Sequence, residues 1–179
     1  VPKYLGELSE KIFEGMKAAD PEATWVMQGW LFYSHKDFWK TPQIKGLLST
    51  VPDDRMIILD LATEIEPVWK QTEAFYGKQW IWNMLHNFGG NISMFGRIET
   101  VAEQPALAFN DGTSGNLKGI GLTMEAIEQN PVLYELMTDN TWRDTPIELK
   151  SWLKNYTRNR YGAVNDSILE AWDILVATA

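Results

Sequence analysis

The stretch Arg55-Met56-Ile57-Ile58-Leu59-Asp60-Leu61-Ala62-Thr63-Glu64-Ile65-Glu66-Pro67 decides the fold. Its first seven residues form a near-continuous apolar run, the mark of a strand buried on both faces. The turn Pro52-Asp53-Asp54 precedes it. Pro67 opens a short helix reaching Tyr76, and Gly77 closes it from just past the end, where a left-handed residue is needed. Strand, connection and helix make one βα unit.

The same unit recurs outward in both directions. Upstream, Thr24 to Trp30 reads as a buried strand followed by a helix from Asp37 to Leu48. Downstream, Trp80-Ile81-Trp82-Asn83-Met84-Leu85 is a third strand with a helix near Met94 to Ala102, and Ile120 to Met124 is a fourth. Asn130-Pro131 starts its helix, with Asn as cap and Pro in the first turn. An opening helix places Leu5, Leu8, Ile12 and Met16 on one face and stops at Asp20-Pro21. It has no strand of its own, so the chain is expected to start within a unit. Apolar strands alternating with helices indicate a parallel sheet, either doubly wound or part of a barrel. Four strands cannot close a barrel, which needs eight. After Thr145 the pattern turns wholly helical: Leu149, Trp152, Leu153 and Tyr156 form one face, and Ile168, Trp172 and Leu175 another behind a cap at Asn165 or Asp166.

The chain's 179 residues, 45% hydrophobic and 22% charged, mark a globular fold rather than a disordered one. A net charge of −8 without a basic stripe argues against nucleic acid as a partner. No apolar run reaches membrane-spanning length, and residues 1–10 lack the pattern of a signal peptide. With no cysteine, a disulfide scaffold, a thiolate metal site and a cysteine nucleophile are excluded. Sequons at Asn91, Asn155 and Asn165 carry little weight. Nine tryptophans exceed what a core of this size needs, and flat indole faces suit sugar rings. Trp25, Trp82, Trp152 and Trp172 are expected in the core, and Trp30 is the expected sugar platform.

In a βα barrel the chemistry gathers where strands end. Gln28, Trp30 and Tyr33 follow the first strand; Asp60, Glu64 and Glu66 the second; His86, Asn87 and Phe88-Gly89-Gly90-Asn91 the third; Thr123 and Glu125 the fourth. Carboxylates, amides, imidazole and indole with few cations suit hydroxyl recognition and carboxylate catalysis. Pattern alone leaves Glu64 open between a nucleophile in the mouth, a solvated loop glutamate and a first-turn glutamate favoured by a helix dipole. Glu66, beside Pro67, fits the helix start. His86 and Asn87 either bind substrate hydroxyl or acetamido groups, or satisfy loop backbone. HExxH, GxGxxG, the P-loop and the G-x-S-x-G elbow are all missing, and no metal or other cofactor is expected.

Several stretches resemble the α-N-acetylglucosaminidases of glycoside hydrolase family 89. They are Gln28-Gly29-Trp30-Leu31-Phe32, Leu59-Asp60-Leu61 leading to Glu64, and the eleven residues Ile81 to Asn91. Gly119-Ile120-Gly121 through Glu125, then Asn130, Val132 and Tyr134, and Arg160-Tyr161-Gly162 continue the match in order. The resemblance implies an α/β fold: residues 1–144 as the second half of a (β/α)₈ TIM barrel, about four βα units, and 145–179 as the start of an all-helical domain. It implies a retaining, exo-acting glycosidase for terminal α-linked N-acetylglucosamine, with Glu64 as nucleophile. Trp30, His86, Asn87 and Glu125 are then the expected substrate-binding residues. The acid/base glutamate, part of an Asn-Glu pair, is expected upstream of Val1, so this chain alone is expected to be inactive. Its partners are the glycan and the remainder of its own catalytic domain, with no membrane. The family's location is lysosomal in animals and periplasmic or secreted in bacteria. Asn83 stands where animal members carry cysteine, which points toward a bacterial source. The expected alternative function is a non-catalytic carbohydrate-binding module with a Trp-rich face, which needs no carboxylate under an anomeric carbon.

Overall fold

A computed structural model describes residues 1–89, 96–125, 127 and 129–178. They form two compact units, residues 1–83 with 112–121 and residues 84–111 with 122–179.

The first unit holds the sheet. Strands β1 (Trp25–Gln28), β2 (Met56–Asp60), β3 (Gln79–Met84) and β4 (Leu117–Leu122) lie side by side in the order β1-β2-β3-β4. β2 runs parallel to both β1 and β3, with Val26 opposite Ile57 and Leu59 opposite Ile81. The Trp80 N–H donates to Asn116 O (3.2 Å) where β4 begins. A doubly wound sheet reverses direction at a switch point, whereas these strands follow chain order without reversal. Of the two architectures the sequence leaves open, this is the order of a barrel wall.

The two faces of the sheet differ. Met56, Ile58 and Asp60 on β2 and Trp80 and Trp82 on β3 are buried; Ile57, Leu59 and Ile81 on the opposite face are half-buried, and Val26 is 56% exposed. The expectation of strands buried on both faces therefore holds for one face only. Trp82 and Trp152 are core residues as expected, whereas Trp25 and Trp172 are only partly buried.

Two helices of this unit depart from the sequence reading. In α1 (Pro2–Ala19) the buried residues are Leu5, Gly6, Ser9 and Phe13, while Leu8 and Ile12 are exposed. The face is set by close backbone approach to α3 (Thr41–Leu48) rather than by apolar count. A Cβ on Gly46 would lie 2.5 Å from Pro2 O, and Ser9 Oγ donates to Leu47 O at 2.7 Å. The expected helix over Asp37–Leu48 is shorter, and a separate turn, α2 (Trp30–Ser34), follows β1 directly.

The expected helix from Pro67 to Tyr76 is two structures. α4 (Val68–Gln71) is right-handed; α5 (Glu73–Tyr76) is a single left-handed turn with φ of 47–56° at all four residues, ended by Gly77 at φ 96°. Left-handed turns cost roughly 1–2 kcal/mol per non-glycine residue. Burial offsets this: Phe75 and Ala74 are fully enclosed, with Phe75 5.9 Å from the Trp80 ring and 6.4 Å from Phe32. The Phe75 N–H donates to Thr72 Oγ1 (3.2 Å), and no helical periodicity in sequence encodes such a turn.

In the second unit, α6 (Ile98–Asn110), α7 (Pro131–Asp139), α8 (Leu149–Tyr161) and α9 (Asp166–Thr178) pack around a core of Ile98, Val101, Leu133, Leu136, Met137 and Leu153. The expected helix near Met94 to Ala102 lies partly outside the described residues; what is described begins at Ile98 and runs to Asn110, past Pro105. Proline lacks the N–H that would reach the carbonyl four residues back. That carbonyl, Val101 O, instead accepts from Asn140 Nδ2 (2.9 Å), so the helix continues through a residue that reads as a stop. Asn165 Oδ1 accepts the Ile168 N–H (2.9 Å) and caps α9, as one of the two expected caps. No helix among the described residues is long and apolar enough to cross a membrane.

Candidate active site

Gly29 ends β1 and donates its N–H to Leu59 O across the strand pair (2.7 Å). A Cβ there would stand 3.1 Å from that same carbonyl and 3.2 Å from Ile58 Cγ2, so a larger residue would push its neighbours back by a few tenths of an ångström where the chain leaves the sheet. Trp30 follows at once as the first residue of α2. It is half-buried and packs at 4.9 Å and 55° on Tyr33, which leaves part of the indole open.

Glu64 stands four residues beyond the end of β2 in the turn 61–65, so Trp30 and Glu64 both follow C-terminal ends of adjacent parallel strands. Thr63 fixes the turn. Its Oγ1 donates to Asp60 O (2.6 Å) and accepts the Asn83 N–H (3.2 Å), while its own N–H donates to Asn83 O (3.0 Å). These bonds pin the residue before Glu64 to β3. Glu64 itself is 4% exposed, unlike the solvated loop glutamate that pattern also allowed. Glu66 is half-exposed, and Gln71 Nε2 donates to its Oε1 (3.3 Å).

Asp60, the last residue of β2, is 1% exposed. Its Oδ2 accepts the Trp69 N–H at the start of α4 (3.1 Å), while Oδ1 is buried with no hydrogen-bond partner among the described residues. Burial pushes its pKa up to about 7 against the pull of the Trp69 and Val68 amides, and the charges of Glu64 and Glu66 add to the rise.

The second unit carries the other expected residues. His86 follows the end of β3 by two positions and sits at φ 51°, a left-handed conformation unusual for a non-glycine residue. Its Nε2 pairs with Asn130 Nδ2 (3.0 Å), and its ring meets Tyr134 edge-on at 5.8 Å. Burial lowers its pKa, so the ring is neutral near pH 7; with Asn130 donating, Nε2 is the acceptor. Tyr134 in turn donates to Gln129 Oε1. Asn87 is fully buried, and its O accepts the Glu125 N–H (3.3 Å). Glu125 is exposed, with Oε2 accepting the Gly89 N–H (3.2 Å), so Asn87 and Glu125 are brought together. Of the expected loop after the third strand, Gly90 and Asn91 lie outside the described residues.

Sequence reasoning placed Asn130 as a helix cap. The structure gives it no capping bond and turns its amide to His86 instead. The part played by Thr63 was also missed, since a threonine in a turn carries no signal of a cross-strand bond.

The sequence model described as "Alpha-N-acetylglucosaminidase (NAGLU) tim-barrel domain" matches residues 1–144. A curated human protein, "Alpha-N-acetylglucosaminidase", is 40% identical over 178 residues; these make up 98% of this chain and 24% of the human one. Solved structures of a family 89 glycoside hydrolase from Clostridium perfringens match with a TM-score of 0.83 at 36% identity, over 97% of this chain and 18% of theirs. One is a variant with two glutamates replaced by glutamine, in complex with its substrate GlcNAc-alpha-1,4-galactose; another holds 2-acetamido-1,2-dideoxynojirmycin. The sheet described above is thus part of a TIM-barrel fold, and the chain spans about a quarter or less of the length of these relatives. With the family model covering most of its length, the chain belongs to the α-N-acetylglucosaminidases of glycoside hydrolase family 89.

Proposed function

We propose that this chain is part of an exo-acting, retaining glycosidase that releases terminal α-linked N-acetylglucosamine, with Glu64 as the nucleophile. The observation that carries the proposal is the placement of Glu64. In a chain matching the family's TIM-barrel domain, it is a buried carboxyl held in the turn after a parallel strand, where barrel enzymes keep their reacting groups. Retaining hydrolysis takes two carboxyls roughly 5–5.5 Å apart, one attacking the anomeric carbon and one protonating the leaving oxygen. The second is proposed to come from the remainder of the catalytic domain, which would also cover the half-open sheet face of Ile57, Leu59 and Ile81.

The neighbouring roles follow from chemistry. The open part of the Trp30 ring suits the C–H face of a sugar. Neutral His86, Asn87 and the exposed carboxylate of Glu125 offer donors and acceptors to hydroxyl and acetamido groups. The division into barrel segment (1–144) and the start of a helical domain (145–179) is proposed with support from the end of the family match and from α8 and α9. The proposed location follows the resemblance, lysosomal for an animal source and periplasmic or secreted for a bacterial one. Nothing favours the carbohydrate-binding module, since the family match is to the catalytic barrel.

Azide tests the nucleophile in the full-length protein. Glu64→Ala is expected to fold but not turn over, because the carboxylate forms the bond that defines the covalent intermediate. Added azide fills the vacated space, attacks from the face opposite the leaving group and gives the β-glycosyl azide. An α-azide, or an active Glu64→Ala without azide, overturns the assignment.

A further inference from the structure

Asn130 stands at the cap position of α7 yet makes no capping bond; its Nδ2 lies 3.0 Å from His86 Nε2 instead. A cap residue that turns away from its own helix gives up an N-terminal N–H it could have satisfied. The ring it meets has little freedom. His86 is 5% exposed and sits at φ 51°, a conformation that persists only where the surroundings enforce it. Tyr134, from the first turn of α7, meets the ring edge-on. Gly96 closes on it without a side chain: a Cβ there would stand 2.7 Å from both Nδ1 and Cε1 of the imidazole. The loop that leaves His86 runs directly to Glu125. Asn87 O accepts the Glu125 N–H (3.3 Å), and the Gly89 N–H donates to Glu125 Oε2 (3.2 Å). Glu125 is exposed, so these bonds, rather than packing, direct its carboxylate.

We propose that Asn130 is a positioning residue: its Nδ2–H donates to a bare Nε2 on His86, and the locked ring fixes the loop 86–89 that aims the Glu125 carboxylate at the sugar. Burial disfavours the imidazolium, which could not accept this bond. Aspartate or serine would cap α7 as well as asparagine does. Aspartate has no N–H to give, and serine is too short to reach the ring, so the contact with His86 calls for the amide where the cap does not. The inference rests on the reading of Glu125 as a residue that meets the sugar, and on no assignment of which carboxyl attacks.

The first test needs no activity. Solid-state nitrogen NMR of the full-length protein, labelled at histidine, shows which ring nitrogen carries the proton at neutral pH. The His86 signals are assigned by their loss in His86→Asn. The proton is expected on Nδ1 with Nε2 bare, because the bond made at one ring nitrogen sets the tautomer at the other. A proton on Nε2 overturns the proposal.

The second test is a binding cycle. Calorimetry measures the affinity of 2-acetamido-1,2-dideoxynojirmycin, the ligand held by a solved relative, for the full-length wild type, Asn130→Ser, Glu125→Ala and the double variant. Asn130→Ser keeps a capping side chain, so it is expected to fold with the melting temperature of the wild type. It is expected to bind roughly tenfold more weakly, the scale of one lost hydrogen bond. In Glu125→Ala no carboxylate is left to aim, and the same substitution is expected to cost less than about threefold. Wild-type affinity in Asn130→Ser overturns the proposal. So does an equal loss in both backgrounds, which is what a merely structural asparagine would give. If the wild type itself binds no iminosugar, the N-acetylglucosaminidase reading falls, and the tautomer still decides the bond between Asn130 and His86.

Discussion

Glu66 lies two positions from Glu64, yet the two live in different surroundings. Glu66 is half-exposed and takes a long hydrogen bond from Gln71 just ahead of α4, whereas Glu64 is enclosed in a turn that Thr63 ties to β3. A carboxylate ahead of a short helix contributes about 0.3–1 kcal/mol through the dipole. Glu66→Ala is therefore expected to retain most of its turnover, while Glu64→Ala loses it. Steady-state kinetics of both in one full-length background check this; an inactive Glu66→Ala beside an active Glu64→Ala would mean that the family match is out of register by two. At this scale, identity was more legible than environment. The position of Glu64 could be read from Leu59-Asp60-Leu61 and the helix after it. Its burial could not, because burial depends on Thr63 reaching Asn83, twenty residues on.

Among the elements, α6 and the segment after α7 depend on each other. Pro105 leaves Val101 O without its helical partner, and Asn140 supplies one from outside the helix while also donating to Leu136 O (3.0 Å). Asn140→Ala strands a buried carbonyl and is expected to cost about 1–3 kcal/mol. In a Pro105→Ala background the restored amide N–H can reach Val101 O, so the same change should cost clearly less. Unfolding measurements on the two single variants and the double variant give the coupling. Equal losses in both backgrounds would show that Asn140 acts through Leu136 alone. Strand existence could be read from the apolar runs, since a buried parallel strand needs only its own composition; strand order could not, because the same runs fit a doubly wound sheet and a barrel wall. Helix ends could not: Pro105 reads as a stop until a side chain thirty-five residues away is known, and nothing in Glu73-Ala74-Phe75-Tyr76 announces a left-handed turn. For α1, small residues decided the packing face, and hydrophobic periodicity pointed to the wrong side.

At the level of the whole molecule, the proposed function rests on more than this chain, and the half-buried face of the sheet is where the remainder of the catalytic domain is proposed to pack. A barrel wall of four strands supplies Glu64 but encloses no mouth. The chain by itself is expected to show no turnover of an aryl α-N-acetylglucosaminide in a release assay. A rate near that of a full-length family member would contradict the need for a second carboxyl from outside. The strand order has a further, colloidal consequence. β1 and β4 stand at the margins of the sheet, and each turns a row of backbone donors and acceptors outward. Taken alone, such margins are templates on which a second copy can add its own strands. A net charge of −8 keeps copies apart, and salt screens that repulsion within about 8–10 Å at ordinary ionic strength. The solubility of the isolated chain is thus a contest between sticky strand margins and like charge, decided by the salt concentration of the solution in which it is kept.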